Sequence, residues 1–145
     1  MDAGLIDTRN NNYVPVLSDL ATAVTSKTKA IVVSTPNNPT GTVYDRDVLA
    51  GIAELAIDRD LWIILDERYP AFAHAPHTHD HIVSVNLRAR ARTLIVNSFS
   101  KSLALTGWGI GYLVGPEPVI KQLARYKPIQ PPILILLHNM RCFFT

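Results

Sequence analysis

The chain has 145 residues, enough for one domain with a real core, and its 48% hydrophobic and 18% charged residues exclude wholesale disorder. Its formal net charge of +2 is small and its basic residues are scattered, which argues against nucleic acid as a partner. The single cysteine excludes a disulfide framework, and no apolar run approaches the roughly 20 residues of a membrane helix. Without a signal-peptide pattern at its start, the chain is expected to be a soluble, cytoplasmic protein.

The first third of the chain predicts a helix, a strand and a loop. A short amphipathic helix is expected over Ser18–Val24, with Ser18 as its N-cap. The apolar run Thr28–Ser34 predicts a strand. It ends in Thr35–Gly41, where two prolines and a glycine favour a loop at the carboxyl end of that strand.

The clearest helical pattern of the chain lies over Asp45–Asp60. Apolar residues recur there with helical spacing, and Asp45 and Asp47 suit the positive end of a helix. The apolar run Leu61–Leu65 follows and predicts a second buried strand, which leads directly into Asp66–Tyr69.

The later part of the chain continues the alternation of predicted strands and helices. After a long histidine-rich irregular region, Thr93–Asn97 predicts a third strand, followed by a loop that carries Lys101. Ile110–Val114 predicts another strand, and Glu117–Tyr126 predicts a helix that begins after a proline. This alternation indicates an α/β fold in which helices cover a mostly parallel sheet.

The last residues differ from the rest. Residues 128–145 contain three prolines, then an apolar run, and they end just after the apolar pair Phe143–Phe144, without a helix cap. We therefore expect one partial domain over residues 1–127 and a truncated tail over 128–145.

Five side chains follow the three predicted parallel strands. They are an amide, a carboxylate, a phenol, a hydroxyl and an amine, carried by Asn38, Asp66, Tyr69, Ser98 and Lys101. Ligands bind outside the carboxyl ends of strands in open α/β sheets, so these side chains are expected to converge. A lysine with a lowered pKa can form a Schiff base there, and the whole set suits pyridoxal phosphate, which has an aldehyde, a pyridine ring, a phenolic oxygen and a phosphate.

Three motifs give the chain a family resemblance. They are T-P-N-N-P-T-G at Thr35–Gly41, D-E-R-Y at Asp66–Tyr69 and S-F-S-K-S-L-A-L-T-G-W-G-I-G-Y at Ser98–Tyr112. In this order they resemble the class I/II aminotransferases, which are fold-type I pyridoxal phosphate enzymes, and the similarity runs from about Asp7 to about Gln130. The resemblance implies a three-layer αβα sandwich.

The resemblance also implies a role for each of the five residues. Lys101 would form the Schiff base with the cofactor and then move the proton at the substrate α-carbon. Asp66 would pair with the pyridinium nitrogen, Tyr69 and Asn38 would hydrogen-bond the phenolic oxygen, and Ser98 would contact the phosphate. The implied reaction transfers an amino group from an amino acid to a 2-oxo acid.

Each residue also has a purely structural interpretation. Asp66 could cap the turn after its strand, Asn38 could form an Asx-turn, and Tyr69 could be an ordinary core residue with a satisfied hydroxyl. Ser98 could bond to the backbone, as serine at a strand end commonly does, and Lys101 could be a solvated loop lysine.

Other functions stay open at this stage. The same scaffold serves lyases and synthases, and a non-catalytic module is the alternative from another class, either a degenerate enzyme or the effector-binding part of a regulator. Family enzymes build their sites at a homodimer interface and close them with a small domain. Because both contributions come from sequence outside these motifs, the isolated chain is expected to be inactive as a turnover catalyst.

Two features depart from the implied pattern: the length, since nothing here matches the family's N-terminal part or its C-terminal small domain, and a single residue. Gly109 stands where the family usually has an arginine that clamps the phosphate. Gly107, Gly109 and Gly111 alternate there, which permits a sharp bend or a close approach. The histidines of His74–His81 suggest zinc, but the sequence shows no second group of ligands elsewhere, so no metal site is predicted.

Overall fold

A computed structural model describes residues 6–125 and 134–138 of the chain. Its centre is a five-stranded sheet whose strands follow one another in chain order, β1-β2-β3-β4-β5. The strands are β1 (Ala30–Ser34), β2 (Trp62–Asp66), β3 (Thr93–Ser98), β4 (Gly111–Gly115) and β5 (Leu134–His138).

In the part of the chain that the structure describes, five α-helical segments and four short 3₁₀ turns connect or flank these strands. The helices are α1 (Leu17–Ala23), α2 (Arg46–Asp58), α3 (Ile82–Val85), α4 (Phe99–Ser102) and α5 (Glu117–Leu123). Within residues 6–125 and 134–138, no helix has the length and apolar character needed to cross a bilayer.

The sheet is mostly parallel, as the sequence predicts. β1 pairs with β2 and β2 with β3 in parallel, and β4 pairs with β5 in parallel as well. The exception is β4, which runs antiparallel to β3, with Ser98 opposite Gly111. The carboxyl ends of β1, β2 and β3 therefore share one edge of the sheet.

The main core lies between one face of the sheet and α2. Asp45 caps α2 by accepting a hydrogen bond from the Val48 amide at 2.9 Å, so the helix begins where its predicted acidic start lies. Its apolar stripe then packs against alternate residues of β1 and β2. The central core side chains are Val33, Leu49, Ile52, Ala56, Ile63 and Leu65.

The opposite face of the sheet is covered at one end by α5. Because side chains alternate across a strand, Leu113 of β4 points away from the α2 side, and it is buried together with Ile120 of α5. A Cβ placed on Gly115 would lie 3.6 Å from Cδ1 of Ile120, which fixes α5 on this face. Helices thus lie on both faces, and the predicted three-layer α/β arrangement is confirmed. Over β1 this face is open, with Val32 72% exposed.

The structure corrects two local predictions. The first helix begins at Leu17 after Val16, so Ser18 lies inside its first turn and is not its N-cap; the carbonyl of Ser18 accepts from the Thr22 hydroxyl instead. Lys101 lies in the single-turn helix α4 and not in a loop. The other predicted elements are present, with ends shifted by a few residues.

The predicted tail lies mostly outside the described residues. Of 128–145, the structure describes only β5, which adds a parallel strand beside β4. The domain boundary after residue 127 stays a prediction.

Candidate active site

Three parallel strands bring the predicted site residues to one edge of the sheet. Asp66 is the last residue of β2 and Ser98 the last of β3, while Asn38 follows β1 by four residues. Asp66 is in register with Val96, and Ser98 lies two residues further along β3, so Asp66 and Ser98 are on the same face. This is the face away from α2.

Asn38 and Tyr69 are joined directly. The Asn38 amide donates a hydrogen bond to the Tyr69 hydroxyl at 3.1 Å, across 31 residues of sequence. Tyr69 is half-buried, and its ring centroid lies 6.2 Å from that of Phe72 at an angle of 58°. The loop after β1 and the turn after β2 are therefore fixed to each other by an amide and a phenol beside Asp66.

The carboxylate of Asp66 is held by a neighbour that the sequence analysis did not consider. Nε of Arg68 donates to both carboxylate oxygens at 2.9 and 3.1 Å, and Nη2 donates to one of them at 2.7 Å. Residues two apart in extended backbone share a face, and this spacing in D-E-R-Y was the signal that could have predicted the pair. Both side chains are partly exposed, so the pair is worth about 0–1 kcal/mol and can be displaced.

Ser98 begins the helix that carries Lys101. Its hydroxyl oxygen accepts from the Ser100 amide at 3.1 Å and can donate to the Ile110 carbonyl at 3.5 Å. The structural interpretation of Ser98 as a backbone partner is thus observed, and its contact with a phosphate stays a prediction. Lys101 is exposed one turn later, and within the described residues its ammonium group has no ion pair or hydrogen bond.

At two of the three alternating glycines, the backbone conformation or the packing disfavours a side chain. Gly109 ends the 3₁₀ turn Thr106–Trp108 with φ +63°, in the left-handed region that side chains disfavour. At Gly111 a Cβ would lie 2.9 Å from the carbonyl oxygen of Asn97, so the close pairing of β3 and β4 needs a glycine. Gly107 has nothing within 4 Å of its Cβ position.

A buried cluster on the other side of β2 includes two of the histidines. The carboxylate of Glu67 bonds Nδ1 of His81 at 2.9 Å and lies 3.3 Å from Nε2 of His79. The sequence indicates no second ligand group for these histidines, whereas the structure brings candidate ligand atoms of Glu67, His79 and His81 within 4.8 Å of one another; the absence of a metal site stays a prediction. The alternation of side chains across β2 places Glu67 on the buried face with Leu65, but nothing in the D-E-R-Y motif indicated its partners, which lie 12 and 14 residues later.

The hydrogen bonds between Glu67 and the two histidines favour the charged forms of Glu67 and His81. Burial would raise the pKa of Glu67, but hydrogen bonds with His79 and His81 outweigh it and hold that pKa below its usual range. The hydrogen bond to Glu67 raises the pKa of His81 above its ordinary value. Glu67 is therefore an ionised, buried carboxylate next to Asp66.

A separate open cavity of about 510 Å³ lies on the α2 side of the sheet. Val83, Leu87, Thr93 and Val114 are among its lining residues, and none of the five predicted site residues lines it. The predicted site lies instead at the carboxyl edge of β1, β2 and β3, and its side chains are exposed or partly buried.

The sequence profile of the family "Aminotransferase class I and II" matches residues 6–129, and this range includes the whole carboxyl edge described above. The chain belongs to the class I and II aminotransferase family.

Individual aminotransferases agree with this assignment. An aspartate/prephenate aminotransferase from Thermus thermophilus is 43% identical over 112 residues, which are 77% of this chain and 28% of that protein. An aspartate aminotransferase from Bacillus sp. strain YM-2 is 36% identical over 116 residues, 80% of this chain and 30% of its own length.

Solved structures show the same fold. The structure of a Thermus thermophilus aspartate aminotransferase with maleate superposes with a TM-score of 0.74 at 40% identity, covering 80% of this chain and 29% of that one. The fold is thus that of the fold-type I large domain. The chain spans less than a third of the length of these aminotransferases.

Replacing Gly109 by arginine tests whether this position lies beside the cofactor phosphate, as the family resemblance implies. Gly109→Arg is expected to raise affinity for pyridoxal phosphate about 10- to 150-fold, because a charge-assisted hydrogen bond contributes about 1.5–3 kcal/mol. Affinity for unphosphorylated pyridoxal should not change. Since a side chain in the left-handed region costs about 1–2 kcal/mol, the free energy of unfolding should fall by that amount.

The matched control is Gly109→Gln, which imposes the same backbone strain without the guanidinium. Its melting temperature should fall as in Gly109→Arg, while its cofactor affinity stays at the wild-type value. Equal affinities of the arginine and glutamine variants for pyridoxal phosphate would show that Gly109 does not lie beside the phosphate.

Proposed function

We propose that the chain is the cofactor-binding part of a pyridoxal phosphate-dependent aminotransferase, which transfers an amino group from an amino acid to a 2-oxo acid. The observation that carries this proposal is the hydrogen bond between Asn38 and Tyr69. It holds an amide and a phenol together at the strand edge where Asp66 also ends. Family membership supports the same reaction class.

The available donors and acceptors fit the proposed cofactor. The Asn38 amide and the Tyr69 hydroxyl lie 3.1 Å apart, so both would donate to one phenolic oxygen placed beside the pair. The Asp66 carboxylate can pair with the ring nitrogen when its ion pair with Arg68 opens. Ser98 lies on the same face of the next strand. Lys101 presents an amine without a competing ion pair among the described residues.

The proposed chemistry divides between cofactor and protein. When bound, pyridoxal phosphate supplies an electron sink for the bond broken at the amino-acid α-carbon. Lys101 would hold the cofactor through Nζ, with loss of water from the aldehyde, and once the amino group of a substrate has displaced it, Nζ would be free to accept the α-proton as a general base. The Asp66 carboxylate would hold the proton on the ring nitrogen, while Asn38 and Tyr69 would orient the ring through its phenolic oxygen.

The wider setting is also part of this proposal. We propose amino acids and 2-oxo acids as substrates, a homodimer as the working assembly of the complete enzyme, and the cytoplasm as its location. Aspartate and aromatic amino acids are the first substrates to test, because related aminotransferases are named for them.

The test is a single amino-group transfer. The purified chain, loaded with pyridoxal phosphate, is incubated with ¹⁵N-labelled aspartate or phenylalanine, and the cofactor is then analysed by mass spectrometry. We expect slow, stoichiometric appearance of ¹⁵N-pyridoxamine phosphate with an equal amount of 2-oxo acid. Repeated turnover is not expected of this chain by itself.

Other products would contradict the proposal. Release of ammonia together with a 2-oxo acid, and no label in the cofactor, would indicate a lyase. Saturable cofactor binding without conversion of either amino acid or of other α-amino acids would indicate a non-catalytic module.

A further inference from the structure

We propose that Glu67, His79 and His81 form a binding site for one divalent transition-metal ion of the zinc type. Their candidate ligand atoms all lie within 4.8 Å of one another. They come from two separate segments, the residue after β2 and the end of the loop before α3. Two imidazole nitrogens and a carboxylate oxygen are a common ligand set for zinc and its neighbours among the transition metals.

The separations between the ligand atoms suit a tetrahedral ion. Ligands about 2.1 Å from such an ion lie about 3.4 Å from each other. Nε2 of His79 is 3.3 Å from Oε1 of Glu67, and Nδ1 of His81 is 2.9 Å from either oxygen of Glu67. An ion therefore requires the His81–Glu67 pair to open by about half an ångström.

The three candidate ligands are largely shielded from solvent. The side chains of Glu67 and His79 are only 3% and 5% exposed, and a metal ion would replace the hydrogen bonds that the two histidines now make to the Glu67 carboxylate. His81 is 25% exposed, so the fourth ligand position can face water.

The proposed ion would connect both ends of a loop. Glu67 is fixed to β3 because its amide donates to the Val96 carbonyl at 3.0 Å. His81 lies 14 residues later and directly precedes α3. An ion held by Glu67 and the two histidines would therefore clamp this loop, including Tyr69, against the sheet. This is a structural role, separate from the proposed transfer reaction.

Cobalt(II) provides a direct spectroscopic probe. The purified chain, freed of metal with a chelator, is titrated with Co²⁺, and bound metal is measured independently by equilibrium dialysis. We expect one equivalent to bind with the intense visible absorption of four-coordinate cobalt, and one equivalent of Zn²⁺ to remove it. Metal should also raise the melting temperature, as any ligand of the native state does.

Variants then locate the site. His79→Ala and His81→Ala should each weaken Co²⁺ binding more than 10-fold, since even residues that only support ligands contribute 10- to 100-fold. His74→Ala and His77→Ala are matched controls, because both histidines are exposed in the same segment, and they should bind as the wild type does. X-ray absorption of the zinc-loaded wild-type chain should show two imidazole ligands, which tests the site without any substitution.

Three results would overturn the proposal. They are no stoichiometric binding by the wild-type chain, binding that survives His79→Ala and His81→Ala, and binding that depends on His74 or His77 instead. The first would leave Glu67, His79 and His81 as a metal-free hydrogen-bonded cluster, and the others would place any metal on the loop surface.

Discussion

Lys101→Ala is expected to abolish the covalent binding of pyridoxal phosphate. The wild-type chain should show a saturable absorbance change as its amine condenses with the aldehyde, and the alanine variant should show none. Lys101→Arg should fail equally, because a guanidinium keeps the positive charge but does not condense with the aldehyde under these conditions. The measurement is an absorbance titration of each variant with the cofactor.

Lys121→Ala is the matched control for this experiment. Lys121 is an exposed lysine on α5, where it pairs with Glu117 at 2.6 Å. Its replacement should leave the titration unchanged. If Lys101→Ala keeps the saturable signal while its melting temperature equals that of the wild type, another amine binds the cofactor and the site assignment is wrong.

Asp66→Asn and Arg68→Gln are expected to act in opposite directions. The asparagine keeps the size of Asp66 but loses the charge that holds the ring nitrogen protonated. Cofactor affinity should therefore fall about 10- to 150-fold, the equivalent of about 1.5–3 kcal/mol, and amino-group transfer should collapse. Arg68→Gln removes the competitor for the same carboxylate, so affinity should rise up to about 5-fold, in line with a partly exposed ion pair worth at most about 1 kcal/mol.

An analogue with carbon in place of the ring nitrogen provides the control. Neither substitution should change the affinity for this analogue as much as it changes the affinity for pyridoxal phosphate, because the analogue has no ring nitrogen for Asp66 to pair with. Equal losses for the natural cofactor and the analogue would mean that Asp66 acts through the fold. A full rate of transfer in Asp66→Asn would disprove its proposed role.

The fold follows from the sequence because its signals are local and repeated. Ile63 and Leu65 alternate with outward-facing neighbours, and α2 has both an apolar stripe and the acidic cap Asp45. These patterns determine which residues form strands and which form the covering helix. They do not determine strand direction, so the antiparallel pairing of β4 was outside the reach of the sequence analysis.

The site was predicted less completely because side-chain partners depend on the path of the backbone. Parallel strands place Asn38, Asp66 and Ser98 at one edge, and that placement required only the order of the elements. The bidentate ion pair between Arg68 and Asp66 could have been predicted from their two-residue spacing, but it was not among the predictions. The contact of Glu67 with His81 depends on the course of a 14-residue loop, which no periodic pattern specifies.

The central claim is that Lys101 is the amine that binds the cofactor, and borohydride reduction tests it most directly. The wild-type chain is saturated with pyridoxal phosphate, reduced, digested and mapped by mass spectrometry. The account predicts a stable phosphopyridoxyl group on Lys101, at near-stoichiometric yield and far above the level at exposed lysines such as Lys27, Lys29 and Lys121. Label spread equally over these lysines would contradict it.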